Sequence, residues 1–234
     1  MKKYILIASA VILWSACNNK SKGTGKIALK TQKDSFSYAL GVYLGTMMHE
    51  NKIKEVDWKL FEHAAEFVMK NGDSAAQISG EKMGTVLTEY TIEAKYGENR
   101  KKGEEFIAKN KSKYKTTTSG LMYKELVKGT DIKPSISDTI LINYSGKLVN
   151  GEIFDSNEGK EPRKFALNGG AVPGFIEALN MMNVGSKYEV VIPSNIAYGI
   201  RGRQVQNPMN GQPMMIMEPF QTLIFQIEIV SIQQ

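Results

Sequence analysis

A single cysteine, Cys17, occurs in the 234 residues. One thiol cannot form an internal disulfide, so packing and hydrogen bonding must hold the fold together. Histidine is scarce as well. His49 and His63 stand apart, without the cysteine or carboxylate spacing of a metal site, and neither a metal nor another cofactor is expected. No proline precedes Pro134, which leaves the first half free of helix breakers. Gly169-Gly170 reads as a turn and no phosphate loop is present. Past the N-terminus no stretch approaches the length of about 18 consecutive apolar residues that spans a membrane. The net charge of +6 drops by two, to +4, when Lys2 and Lys3 are set aside as part of a leader. That charge is weak and scattered, and nucleic acid is not an expected partner. What remains is a chain with 42% apolar and 23% charged residues, the balance of a soluble globular protein.

The N-terminus reads as targeting. Lys2 and Lys3 precede an apolar run from Tyr4 to Trp14, too short to span a bilayer and about right for a signal sequence. Ser15, Ala16 and Cys17 follow, then polar NNKSKGTGK. The pattern resembles a bacterial lipobox, with Trp14 where an aliphatic residue is usual and Leu13 one place early. It implies that residues 1–17 are a lipoprotein signal peptide and that Cys17 is the lipidation site. Residues 18–30, rich in Lys, Gly and Ser, read as a flexible tether.

From 31 to 111 the pattern is helical. Phe36, Leu40, Tyr43, Leu44 and Met47 recur at three- and four-residue steps within 35–50, with Asp34 or Ser35 as the N-cap. Leu60, Phe61, Ala64, Phe67 and Val68 do so within 57–72, where Asp57 caps the start and Asn71-Gly72 ends it. A third, charged stretch covers 79–111, with Gly97 and Gly103 as points where it could break or bend. Such short amphipathic helices have little core of their own. Either they pack as a self-contained bundle or they gain stability by association, with Met47, Met48 and Met69 as adaptable apolar surface.

Residues 112–118 (SKYKTTT) read as a polar hinge. Beyond 119 the period becomes two: SGLMYKELVKG, DTILINYSGKL, YEVVIPS and LIFQIEIVSI are strands, and the one helix is PGFIEALNMM at 173–182. The chain is therefore α+β, with a helical first half and an antiparallel sheet carrying one short helix.

Five segments of that second half carry the chemistry: INYSGKLVNGEIFDS (142–156), EPRKFAL (161–167), AVPGFIEAL (171–179), IPSNIAYG (192–199) and TLIFQIEIVSI (222–232). They contribute Tyr144, Phe154, Phe165, Phe175, Tyr198 and Phe225, with no nucleophile–base pair. Aromatics gathered in this way, without a strong acid or nucleophile among them, build an apolar pocket. Part of the role of Phe165 and Phe225 is core packing; Tyr198 and Asp155 also have structural readings, as a core tyrosine and a turn cap.

In this order the segments closely resemble the FKBP family of peptidyl-prolyl cis–trans isomerases. Over roughly 30–232 the chain is similar to the Mip/FkpA-like subgroup, which carries a helical N-terminal dimerisation domain. The resemblance implies an FKBP-like antiparallel sheet wrapped around one short helix at 112–234, preceded by a helical dimerisation domain and linker helix at 31–111. It implies that Tyr144, Phe154, Asp155, Tyr198 and Phe225 are catalytic, and that Phe165, Ala171, Val172, Phe175, Ile216 and Met217 bind substrate. Phe175 stands where the family usually has tryptophan, and macrolide inhibitors, which the family can bind, are expected to bind more weakly here. Arg163 stands near a position that is aromatic in some members. The loop from Gly199 to Pro219 is longer and richer in methionine than the compact family version and is read as a mobile modifier of substrate choice.

The expected function is a peptidyl-prolyl cis–trans isomerase: a lipid-anchored homodimer in the bacterial cell envelope, facing the periplasm and acting on unfolded or folding exported chains. The alternative is a dimeric holdase chaperone whose isomerase activity is incidental.

Overall fold

The computed structural model describes residues 27–233. The signal sequence, Cys17 and most of the tether lie outside the described residues. The chain divides into two compact units between Leu44 and Gly45.

Three helices come first: α1 (Gln32–Glu50), α2 (Trp58–Asn71) and α3 (Gly80–Asn110). Thr31, not Asp34 or Ser35, starts α1: its Oγ1 accepts from the Asp34 N–H at 3.0 Å, and the Asp34 carboxylate accepts from the Thr31 N–H at 2.9 Å. This reciprocal box satisfies two of the free donors at the helix start. Asp57 caps α2 as expected, accepting from the N–H groups of Lys59 and Leu60, and Gly72 (φ 83°) ends it. Ser79 caps α3. Neither Gly97 nor Gly103 breaks α3. Gly103 is buried because the helix passes so close to Thr222 that a Cβ would collide with the threonine hydroxyl. The expected bend is instead a close-packing point.

No residue of α1 or α2 is buried. Large apolar side chains of both helices remain open: Phe36 is 69% exposed, Tyr43 70%, Trp58 61% and Leu60 64%.

The sheet strands are β1 (Lys115–Thr116), β2 (Met122–Val127), β3 (Thr139–Leu148), β4 (Ile153–Ser156), β5 (Arg163–Ala166), β6 (Lys187–Ile192) and β9 (Leu223–Gln233). They run in the order β1-β2-β6-β9-β3-β4, with β5 also paired to β3, and every pairing is antiparallel. Helix α4 (Pro173–Met181) lies on one face and buries Gly174, Phe175, Ala178 and Leu179, the stripe that steps of three and four residues produce.

Neighbouring residues on β6 and β9 face opposite cores. Val190, Ile192, Leu223 and Phe225 join the α4 side, while Val191 and Ile224 join Met122 on the other side, where Phe106 and Ile107 of α3 cover them. A sheet buried on both faces explains the unbroken runs VVI and LIF. It also corrects the hinge reading of 112–118. Lys115 and Thr116 pair with β2, and the Tyr114 hydroxyl donates to Glu189 at 2.7 Å. The polar segment is tied down because its hydrogen bonds are made to the sheet.

The loop 199–219 has regular structure of its own. It contains a hairpin of β7 (Arg203–Gln206) and β8 (Pro213–Met217), turned through Asn207–Gln212 with Gly211 at φ 68°.

Candidate active site

The face of the sheet that carries α4 opens into a cavity of about 120 Å³. Strand β3 supplies its base: even-numbered residues point to this face, so Ile142, Tyr144 and Gly146 succeed one another along it. Strand β9 adds Phe225, which pairs across the ladder with Gly146, and β4 adds Phe154. The N-terminus of α4 brings Phe175 to the floor, with Ala171 and Val172 just before it; β5 brings Phe165 and the turn before Gly199 brings Tyr198.

The rings meet edge to face. Phe175 lies 4.9 Å from Phe225 and 5.5 Å from Phe165, and Phe154 lies 5.4 Å from Phe225 at 86°. Tyr144 stands edge-on to Phe175 at 6.2 Å. This arrangement sets positive ring edges against negative faces and keeps the walls rigid. Gly146 makes it possible, since a Cβ there would stand 2.5 Å from Phe225 Cε1 and 2.9 Å from Phe154 Cζ.

Five polar side chains stand among the lining residues: Tyr144, Asp155, Arg163, Tyr198 and Arg203. The Tyr144 hydroxyl donates to Asp155 Oδ2 at 3.0 Å and accepts from Arg163 Nη1 at 2.6 Å. Burial, helped by the neighbouring Asp155 carboxylate, raises the Tyr144 pKa against the opposing pull of Arg163, so the phenol stays protonated at neutral pH. The buried side chain of Asn157 accepts from the Tyr144 N–H at 2.7 Å and donates to the Ile142 carbonyl at 3.0 Å, which locks the segment after β4 against β3. Val172, the residue before α4, makes no hydrogen bond through its N–H among the described residues, although its carbonyl accepts from Phe175 and Ile176.

All but two of the pocket residues named from the sequence line this one cavity: Tyr144, Phe154, Asp155, Phe165, Ala171, Val172, Phe175, Tyr198 and Phe225 are there. Ile216 and Met217 are not. Both lie on β8, facing a neighbouring depression shared with Phe154; Met217 is buried in the main core and Ile216 is exposed. The folding of 199–219 into a hairpin moves them off the cleft. That hairpin delivers a residue the sequence did not flag, Arg203, whose Nη1 donates to the Tyr198 hydroxyl at 3.3 Å. Nothing in the local pattern of Arg203 marks it, because its position depends on the β7–β8 pairing.

Comparison with known proteins agrees with this geometry. Residues 130–230 match the family described as FKBP-type peptidyl-prolyl cis-trans isomerase, and residues 33–124 match the domain amino terminal to it. The chain is 32% identical to the outer membrane protein MIP of Legionella longbeachae, over 97% of both proteins. The chain belongs to the FKBP-type peptidyl-prolyl cis–trans isomerase family. It is also 31% identical to FkpA of Escherichia coli K12, over 89% of this chain and 78% of that protein, and 29% identical to the Mip isomerase of Coxiella burnetii, over 88% and 89%. These relatives place it in the Mip/FkpA-like subgroup and make it an isomerase; they do not favour the holdase alternative. It acts on polypeptides containing X-Pro bonds.

Proposed function

We propose that the aromatic cleft rotates X-Pro bonds, that the helical half joins two copies, and that a lipid on Cys17 holds the enzyme in the bacterial envelope. The cleft's chemistry supports the first point. Rotating an X-Pro bond breaks no covalent bond; it needs loss of amide resonance, a barrier of about 18–20 kcal/mol. A twisted amide has less charge separation than a planar one, so an apolar enclosure favours the transition state over the ground state. Phe154, Phe175 and Phe225 clamp the proline ring, with Phe165 and Ala171 completing the wall. The free Val172 N–H holds a carbonyl, and the Tyr198 hydroxyl orients the carbonyl that precedes proline. Tyr144, braced by Asp155 and Arg163, keeps the wall in place without moving a proton. With Phe175 in place of tryptophan the floor lacks an indole N–H, and a macrolide inhibitor is expected to bind weakly.

The open apolar side chains of α1 and α2 support dimerisation, since exposure of Phe36, Tyr43, Trp58 and Leu60 together is what a partner surface would cover. The organisation follows as a signal peptide at 1–17, a tether at 18–30, a helical dimerisation domain with linker helix at 31–111, and the isomerase domain at 112–234. An envelope location, facing the periplasm, is supported by the basic and apolar start, by Cys17 and by the outer membrane relative. Clients would be exported proteins still folding. The test is fractionation of cells expressing the native chain or Cys17→Ser. The native protein should sediment with membranes and the variant should become soluble; equal sedimentation of both would refute the anchor.

A further inference from the structure

The mouth of the cleft carries positive charge that bond rotation does not use. Three charged side chains line it: Asp155, Arg163 and Arg203. Asp155 and Arg163 offset one another, 3.9 Å apart and joined through the Tyr144 hydroxyl. Arg203 has no such offset. Among the described residues no carboxylate forms an ion pair with it, its side chain is exposed, and its one side-chain hydrogen bond is to the Tyr198 hydroxyl. Its Cζ sits 5.9 Å from the Tyr198 ring centroid. A guanidinium has five donors in a planar fork, so the remaining ones are free to meet a carboxylate two at a time. The pairing of Arg203 with Met217 holds it beside the cleft.

We propose that Arg203 is a specificity-determining residue that selects X-Pro bonds in which X is Glu or Asp. The inference rests on the isomerase reading of the cleft. If the Tyr198 hydroxyl orients the carbonyl before proline, the side chain of that preceding residue emerges next to Arg203. A neutral X makes no ion pair there, whereas a carboxylate gains a charge-assisted bond to the exposed guanidinium.

The experiment compares isomerisation of paired peptides, Glu-Pro and the isosteric Gln-Pro, by NMR exchange with the native protein, Arg203→Gln and Arg203→Lys. For a partly exposed ion pair the native enzyme should favour Glu-Pro about two- to fivefold in kcat/KM. The preference should shrink in high salt, vanish in Arg203→Gln and return in part in Arg203→Lys. Equal acceleration of both peptides by the native enzyme would overturn this inference alone, as would a preference that survives Arg203→Gln. Acceleration of neither peptide would overturn both the inference and the isomerase reading beneath it.

Discussion

The ring of Phe225 occupies the space that a side chain on Gly146 would need. The two face each other across the β3–β9 ladder, and a Cβ on Gly146 would stand 2.5 Å from the ring. Gly146→Ala therefore forces Phe225 and Phe154 apart. Overpacking of this kind costs about 1–3 kcal/mol, and the displaced walls should also lower kcat/KM at least severalfold. Urea denaturation and peptide exchange measured on the same variant check both effects; an alanine tolerated without loss of activity would mean the edge-to-face pair is dispensable.

Phe154 and Phe175 should separate function from stability. Phe175 is buried on the floor, so Phe175→Ala leaves a cavity and is expected to cost about 3–5 kcal/mol. Phe154 is half-buried at the wall, and Phe154→Ala should spare most of the stability while lowering activity. The midpoints of chemical denaturation rank the two.

Glu189 makes the tie between the sheet and the segment after α3 sensitive to acid. Burial alone would raise its pKa, but hydrogen bonds from Tyr114 and Gln226, with Lys147 and Lys124 nearby, bring the net value below the ordinary one. A depressed pKa stabilises the fold above the unfolded value and is lost as pH falls through the folded one. Stability should therefore decline as pH drops below about 4.3, the ordinary glutamate value. Tyr114→Phe should flatten that decline, because Glu189 then lacks one of its donors. Thermal melts of both proteins between neutral and acid pH provide the check; parallel curves would count against the pairing.

Tyr43→Glu and Leu60→Glu place charge on the open faces of α1 and α2. In the dimer account each should convert a species of twice the monomer mass into a monomer in sedimentation equilibrium, with little change in activity on a short peptide. A native chain that sediments as a monomer would remove the dimer.

The helices and the pocket were legible because their signals are local. Leu60, Phe61, Ala64, Phe67 and Val68 mark a helix face by spacing alone, Asp57 marks its cap, and alternation along 139–148 sets which residues of β3 enter the cleft. What was misread depends on distant partners. SKYKTTT looks like a hinge until Tyr114 meets Glu189, 75 residues away. Gly103 looks like a helix breaker until Thr222 packs against it. The methionine- and proline-rich stretch 199–219 has no clear period of two, so its hairpin, the removal of Ile216 and Met217 from the cleft, and the arrival of Arg203 all escaped a reading by pattern.

The central claim is that the aromatic cleft of this chain accelerates prolyl isomerisation. The most direct measurement is protease-free NMR exchange on a short X-Pro peptide, using residues 18–234, alongside Phe154→Ala. Removing one half-buried aromatic wall forfeits about 1.5–3 kcal/mol if its full burial is realised only in the twisted state, roughly a ten- to hundredfold loss of rate. Accelerated exchange that falls by that much in the variant is the predicted result. Exchange at the uncatalysed rate with a folded native protein, or acceleration that Phe154→Ala leaves intact, would contradict the account.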